Sequence, residues 1–365
     1  MTVRFASRWA EAMGELPREC FLPEVIYRWD ADRAVRNWVS VSRTTDPDLW
    51  RQVALAADAV VTQVDDGHTA PDGSGSTPTS SASHPDVVSG MLDDLDPHPG
   101  ERILEIGTGT GWNAALLAHQ IGARNVVSVE LDSAVARQAR AALTAAGLGA
   151  VRVITGDGLA DPPEGVFDRI IATVGVRAVP WIWVLRTRIG GRIVAPLINS
   201  YEQPGVAVLD RDEHGAHGHL GGRVVFMPAR SQRDPDPRTF ASEGVYRSRS
   251  RLQPHRWISD RDAAVAIGQR VSGIRTEWRP DQPGSEGSAF LTALDGRSWA
   301  EMTVTGEPPW PVRQYGPRRL FTEVRLAYKW WIEQGKPSVL DWRVTVTPSG
   351  QRIDLNPAAG QPAVA

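Results

Sequence analysis

Residues 103–111 read ILEIGTGTG: an apolar run bearing the acid Glu105, then Gly107, Gly109 and Gly111, ahead of the helical stretch WNAALLAHQIG. Glycines so spaced let a backbone turn sharply and approach a ligand closely, and the helix behind them offers its first amides. A nucleotide-like ligand is the expectation. A dinucleotide fingerprint would need its third glycine three positions after its second, with a pyrophosphate on the helix end. Position 112, where that glycine would fall, is Trp. Glu105 would also repel a pyrophosphate while accepting the amino group of an amino-acid moiety.

This combination resembles the first motif of S-adenosylmethionine-dependent methyltransferases. On that resemblance Glu130, closing NVVSVELD, sits where a carboxylate accepts both ribose hydroxyls, and Asp157 with Gly158 closes a third strand at an adenine edge. Thr108 and Leu131 complete the expected S-adenosyl-L-methionine set of Glu105, Gly107, Thr108, Gly109, Gly111, Glu130, Leu131, Asp157 and Gly158. The competing reading is turn glycines and surface carboxylates on some other α/β fold, including a non-catalytic scaffold.

A closer resemblance is to protein-L-isoaspartate O-methyltransferases. It is carried by a Ser/Thr-rich turn ending in Ser-x-Pro, then an amphipathic helix, ILEIGTGTGWNAALLA, VVSVELD, ITGDG, FDRIIATVGV and IGGRIVAPL, over roughly residues 50 to 230. The resemblance places Ser83 of Ser83-His84-Pro85 on the family's active-site serine, with Thr79, Ser80, Ser81 and His84 in a substrate loop. Two departures stand out: VTQVDDGHTAPDG replaces the family's approach to that turn, and Ala82 replaces the usual Ile. The family's common form also ends near GRVVFMPARS. The longer chain resembles the branch associated with ribosomally made peptides, in which an aspartate of a macrocyclised precursor is methylated and closes to an aspartimide. General repair of isoaspartyl sites is the alternative.

The elements that must position these residues follow from periodicity. From residue 102 to about 228 strand and helix patterns alternate, predicting an α/β, doubly wound, mostly parallel sheet of class I methyltransferase, Rossmann-like type. VPWIWVLRTRI reads as a helix leading into RIVAPL, and PGVAVLDRD with GGRVVFMPA as a closing antiparallel hairpin across the loop EHGAHGHL. Residues 65–85 are a Gly/Ser/Thr/Pro tract with almost no apolar content, expected to form no core element. The predicted division is an N-terminal substrate-side segment over 1–85, a cofactor-binding core over 86–230 and a C-terminal α+β domain over 231–365. SQRDPDPRTF reads as a linker, LAYKWWIEQGKP as a helix and VLDWRVTVTPSGQRIDL as a hairpin in that last domain, with a peptide added along it as one use.

Composition bounds the rest. The 365 residues are 41% hydrophobic, enough for real cores, and carry a net charge of −3, so no global field points to nucleic acid or an anionic membrane. Cys20 is the single cysteine, which excludes an intrachain disulfide and fits a reducing, cytoplasmic setting. MTVRFASRWAEAMGEL lacks the apolar run of a signal peptide, and no apolar stretch reaches the ~18 residues of a membrane span. A monomer is expected. His214, His217 and His219 read as a solvated turn rather than a metal site, and no metal is expected. A Ser83/His84 nucleophilic pair is disfavoured because adjacent residues on extended backbone face opposite ways. Trp181 and Trp183 read as core or rim packing.

Overall fold

A computed structural model describes residues 7–33, 35–201, 204–222, 224–235, 244–280 and 285–356. In chain order the elements are α1 (Ser7–Glu15), β1 (Val25–Trp29), β2 (Trp38–Ser42), α2 (Pro47–Ala54), β3 (Val60–Val64), β4 (Pro78–Ala82), α3 (Pro85–Leu95), β5 (Ile103–Ile106) and α4 (Trp112–Ile121). They continue with β6 (Val126–Glu130), α5 (Ser133–Ala145), β7 (Arg152–Thr155), β8 (Phe167–Ala172), α6 (Trp181–Arg186), β9 (Thr187–Leu197), β10 (Gly205–Arg211) and β11 (Ala216–Leu220). The C-terminal elements are β12 (Tyr246–Ser250), α7 (His255–Ile258), α8 (Arg261–Arg270), β13 (Ile274–Pro280), β14 (Gly287–Ala293), β15 (Trp299–Val304), β16 (Trp310–Tyr315), α9 (Leu320–Glu333), β17 (Trp342–Thr347) and β18 (Gly350–Leu355).

The central sheet runs β18-β17-β11-β10-β9-β8-β5-β6-β7. Side chains alternate across it with the period of a strand: Ile170, Ala172, Ile193 and Ala195 enter one core, Ile171 and Val194 the other. Helices α1, α3 and α4 fill the second side, where Leu92, Leu95, Leu116 and Leu117 are fully buried. The first side receives α6 together with α8 and α9, which lie against a separate antiparallel sheet of order β12-β16-β15-β14-β13. Ala263, Ile267, Leu291, Phe321 and Val324 therefore share one apolar cluster with Ile170 and Leu197. Residues after 231 thus pack into the same apolar cluster as the central sheet.

Several expectations change. The central sheet is mixed rather than mostly parallel: β5, β6, β7, β8 and β9 pair in parallel, while the pairings from β9 out to β18 are antiparallel. The hairpin partner of β10 is Ala216–Leu220, inside the stretch read as a loop, and not GGRVVFMPA. Asp212 makes the turn, its Oδ1 accepting the amides of His214 at 2.7 Å and Gly215 at 2.9 Å. β11 runs so close to its neighbour that a Cβ at Gly218 would lie 1.8 Å from the Val208 carbonyl oxygen. Helix α6 stops at Arg186 because Thr187 enters β9.

The VLDWRVTVTPSGQRIDL hairpin does form, but β17 pairs with β11, so it extends the central sheet. The tract at 65–85 contributes β4, the edge of an N-terminal antiparallel sheet of order β2-β1-β3-β4. Ser80 and Ala82 are small enough to bury on its inner side. The later part of the SQRDPDPRTF linker reading, residues 236–240, and the first six residues of the chain lie outside the described residues.

Candidate active site

A cavity of about 830 Å³ opens where β4 crosses the C-terminal ends of β5 and β6. Its wall takes in Gly107, Thr108, Gly109, Glu130, Leu131, Asp157 and Gly158, and also Thr79, Ser80, Ser81, Ser83 and His84. The fold thus joins the two expected groups of residues in one space. Gly111 starts α4 in the left-handed conformation behind this wall. Gly109 has φ +54°, and a Cβ there would point at the Ser81 carbonyl oxygen 3.5 Å away, so β4 passes directly over the glycine turn.

Glu130 ends β6 with its carboxylate fixed by two backbone donors, the amides of Gly109 at 2.9 Å and Asp132 at 3.0 Å. Burial raises its pKa, against the pull of those hydrogen bonds. Carboxylate oxygens keep further lone pairs for hydroxyl donors. Asp157 caps the next turn, its Oδ1 accepting from the amide of Leu159 at 2.9 Å. A close-approach glycine turn, an acceptor carboxylate at the second strand and another acid after the third fit an amino-acid nucleoside such as S-adenosylmethionine.

Glu105 is the correction within this set. It is fully buried and absent from the cavity wall. Asn113 Nδ2 donates to its Oε1 at 2.7 Å, Ser128 Oγ donates to Oε2, and Thr108 Oγ1 lies 2.6 Å from Ser128 Oγ. Desolvation pushes its pKa up to about 7. Glu105 therefore ties the start of α4 and the glycine turn to β6, and does not meet a ligand's amino group directly.

Ser83 and His84 follow β4 at the entry to α3. His84 Nδ1 accepts the Asp86 amide at 3.1 Å, capping that helix, so this nitrogen is unavailable to Ser83. Beneath the turn lies Arg18, which the sequence did not flag. Its guanidinium donates to the carbonyls of Asp58 at 2.6 Å, Ala54 at 3.0 Å, Ala56 at 2.6 Å and Ser83 at 3.3 Å. Arg18 thereby locks the Ser83 turn to the loop after α2.

A second unanticipated group closes the cavity's edge. Arg230 Nε meets Asp66 Oδ1 at 3.0 Å, and its Nη2 meets Asp132 Oδ2 and Gln63 Oε1, each at 2.9 Å. Arg233 grips Asp66 with two further bonds, and Thr79 Oγ1 donates to Gln63 at 2.9 Å. Against the upward push of burial, Gln63, Arg230 and the α5 amides hold Asp132 at about 2. The clamp joins the N-terminal sheet, the core and the segment after β11. Its one sequence signal was Asp132 preceding Ser133, an N-cap pattern.

Trp183 is fully buried and donates Nε1 to the Gly158 carbonyl at 2.8 Å, which makes it core, while Trp181 packs half-buried on the same cluster. His217 and His219 lie on β11, and His217 sits 3.4 Å from Asp212. No group of three or more His, Cys, Asp or Glu side chains comes together for a metal among the described residues, and none of the described helices is long and apolar enough to cross a membrane.

The family model described as "Protein-L-isoaspartate(D-aspartate) O-methyltransferase (PCMT)" matches residues 70–234. The protein-L-isoaspartate O-methyltransferase of Ignicoccus hospitalis is 30% identical over 60% of this chain and 87% of its own length. That of Pyrococcus horikoshii is 37% identical over 40% of this chain and 67% of its own length. The chain belongs to this family. It is an S-adenosyl-L-methionine-dependent methyltransferase. A solved structure titled protein-L-isoaspartate O-methyltransferase shares the fold, with a TM-score of 0.52 and 19% identity over 96% of this chain and 95% of that one. The likeness in fold extends into the region after residue 231.

Proposed function

We propose that this methyltransferase esterifies the carboxylate of an aspartyl or isoaspartyl residue, with Gly107, Gly109, Glu130 and Asp157 holding the cofactor and the Ser83 turn presenting the substrate. The observation that carries the reading is the single cavity shared by these residues. When bound, the cofactor supplies an electrophilic sulfonium methyl. The substrate carboxylate, with a pKa of about 4, is already ionised at neutral pH, so no side chain needs to remove a proton. What the protein supplies is alignment and exclusion of water. Ser83 acts as a hydrogen-bonding positioner, not a nucleophile. The ester carbonyl is then open to the following backbone nitrogen; the C–N bond forms, methanol leaves carrying the nitrogen's proton, and a succinimide remains.

The favoured substrate is a dedicated, ribosomally made peptide. Gln63 and Asp66 of the clamp fall in VTQVDDG, where the sequence departs from the family's approach to the serine turn, which supports a specialised rim. The second reading, repair of isoaspartyl sites, is supported by the relatives named protein-L-isoaspartate O-methyltransferase. Mass spectrometry of the protein with S-adenosylmethionine and a generic linear isoaspartyl peptide separates them. Cofactor binding without conversion supports the dedicated peptide; ready conversion to methyl ester and succinimide overturns it in favour of repair.

A further inference from the structure

Arg230, Arg233 and Arg261 are among the residues that line the cavity, together with the acids Asp58, Glu130 and Asp157. Arg230 and Arg233 are committed to Asp66 and Asp132 through the clamp. Arg261 differs. It is exposed, and its side chain makes no hydrogen bond, ion pair or ring contact with any described residue.

Its backbone is nevertheless firmly placed. Arg261 opens α8, which Asp260 caps by accepting the Ala263 amide at 3.2 Å. Asp262 accepts the Val339 amide at 2.8 Å, and Tyr201, just beyond β9, donates its hydroxyl to the Trp257 carbonyl at 2.6 Å. Ala263, Ala264 and Ile267 bury the helix in the core shared with the central sheet. The C-terminal region thus delivers one unspent positive charge to the rim of a cavity whose other cations are neutralised.

We infer that Arg261 is a specificity-determining residue whose guanidinium receives an acidic side chain flanking the methylated residue of a peptide substrate. The inference rests on the reading of the enzyme as a peptide carboxyl methyltransferase. The reacting carboxylate is the poorer partner, because a two-point guanidinium contact would draw negative charge from the oxygens and weaken the one that must attack the methyl. A flanking acid gains the attraction without that penalty. It also offsets the repulsion an anionic peptide meets from the three lining carboxylates.

The test is fluorescence anisotropy on the full chain with S-adenosylhomocysteine present, using two labelled aspartyl peptides that differ by Glu or Gln beside the target residue. The wild type is expected to bind the Glu peptide about two- to fivefold more tightly at low salt, the scale of an exposed ion pair. Arg261→Gln brings that ratio to about one and Arg261→Lys keeps most of it, with S-adenosylhomocysteine affinity retained in both, as a rim charge predicts. Equal binding of the two peptides by the wild type, a preference that survives Arg261→Gln, or a loss confined to S-adenosylhomocysteine affinity would overturn the inference. A wild type that shows the preference yet transfers the methyl to a group other than a carboxylate of these peptides supports Arg261 and overturns the carboxyl methyltransferase reading instead.

Discussion

Arg233 and Asp66 face each other as a two-point ion pair, Nη1 to Oδ2 at 2.7 Å and Nη2 to Oδ1 at 3.0 Å, across 167 residues of sequence. Asp66 has φ +54°, a conformation Asn also tolerates, so Asp66→Asn removes the charge and keeps the backbone. Because the pair is partly solvated, stability should fall by only about 1 kcal/mol. S-adenosylhomocysteine should dissociate several-fold faster, measured by stopped-flow fluorescence. An unchanged dissociation rate would show that the clamp does not retain the cofactor.

Glu130 accepts the amides of Gly109 and Asp132, so Glu130→Ala strips partners from the glycine turn as well as a ligand acceptor. Loss of one or two such bonds is worth about 1–3 kcal/mol. Calorimetric affinity for S-adenosylhomocysteine should drop by roughly ten- to a hundredfold. Affinity near the wild-type value would remove Glu130 from the cofactor site.

Ser83→Ala should slow methyl transfer at saturating cofactor with little effect on cofactor affinity. Arg18→Met should slow it too, through the carbonyls of Ser83 and the loop after α2, and should also lower the melting temperature. Buried carbonyls left unpaired cost about 1–3 kcal/mol each. Equal loss of cofactor affinity in both variants would place Ser83 elsewhere than over the substrate.

Glu105 supplies a pH signature. Its folded pKa of about 7 lies above the ordinary carboxyl value because burial disfavours the charge. The folded state then binds more protons than the unfolded state between the two values, so this contribution to stability is present below the unfolded pKa and is lost as pH rises toward 7. Urea denaturation across that window should show Glu105→Gln gaining on the wild type as pH increases. A variant that instead gains on the wild type as pH falls would mean that Glu105 is held ionised.

Much of this was legible in the chain. Strand–helix alternation from Ile103 to Leu197 reflects buried parallel strands, whose apolar runs advertise themselves, and the glycine turn with Glu130 and Asp157 lands on one cavity wall. What escaped was set by partners distant in sequence. PTSSA has no apolar signature, yet it becomes β4 because β3 supplies its ladder. AHGHL becomes a strand between β10 and β17 because Gly218 permits the close approach. Glu105 carried the right residue type, but its neighbours Asn113 and Ser128 turned it inward. The clamp joins Asp66 to Arg230 and Arg233, a pairing that no local pattern announces.

Strand β11 has its outer side covered by β17, which follows it only after the whole five-stranded sheet and α9. During synthesis on the ribosome, the growing chain must therefore carry an open edge from the emergence of Leu220 until Trp342–Thr347 arrives. Exposed edges of this kind invite pairing with other chains. Production of the enzyme should thus be sensitive to translation speed and to chaperone supply over that interval, and most of its aggregation hazard lies before its final hairpin has been made.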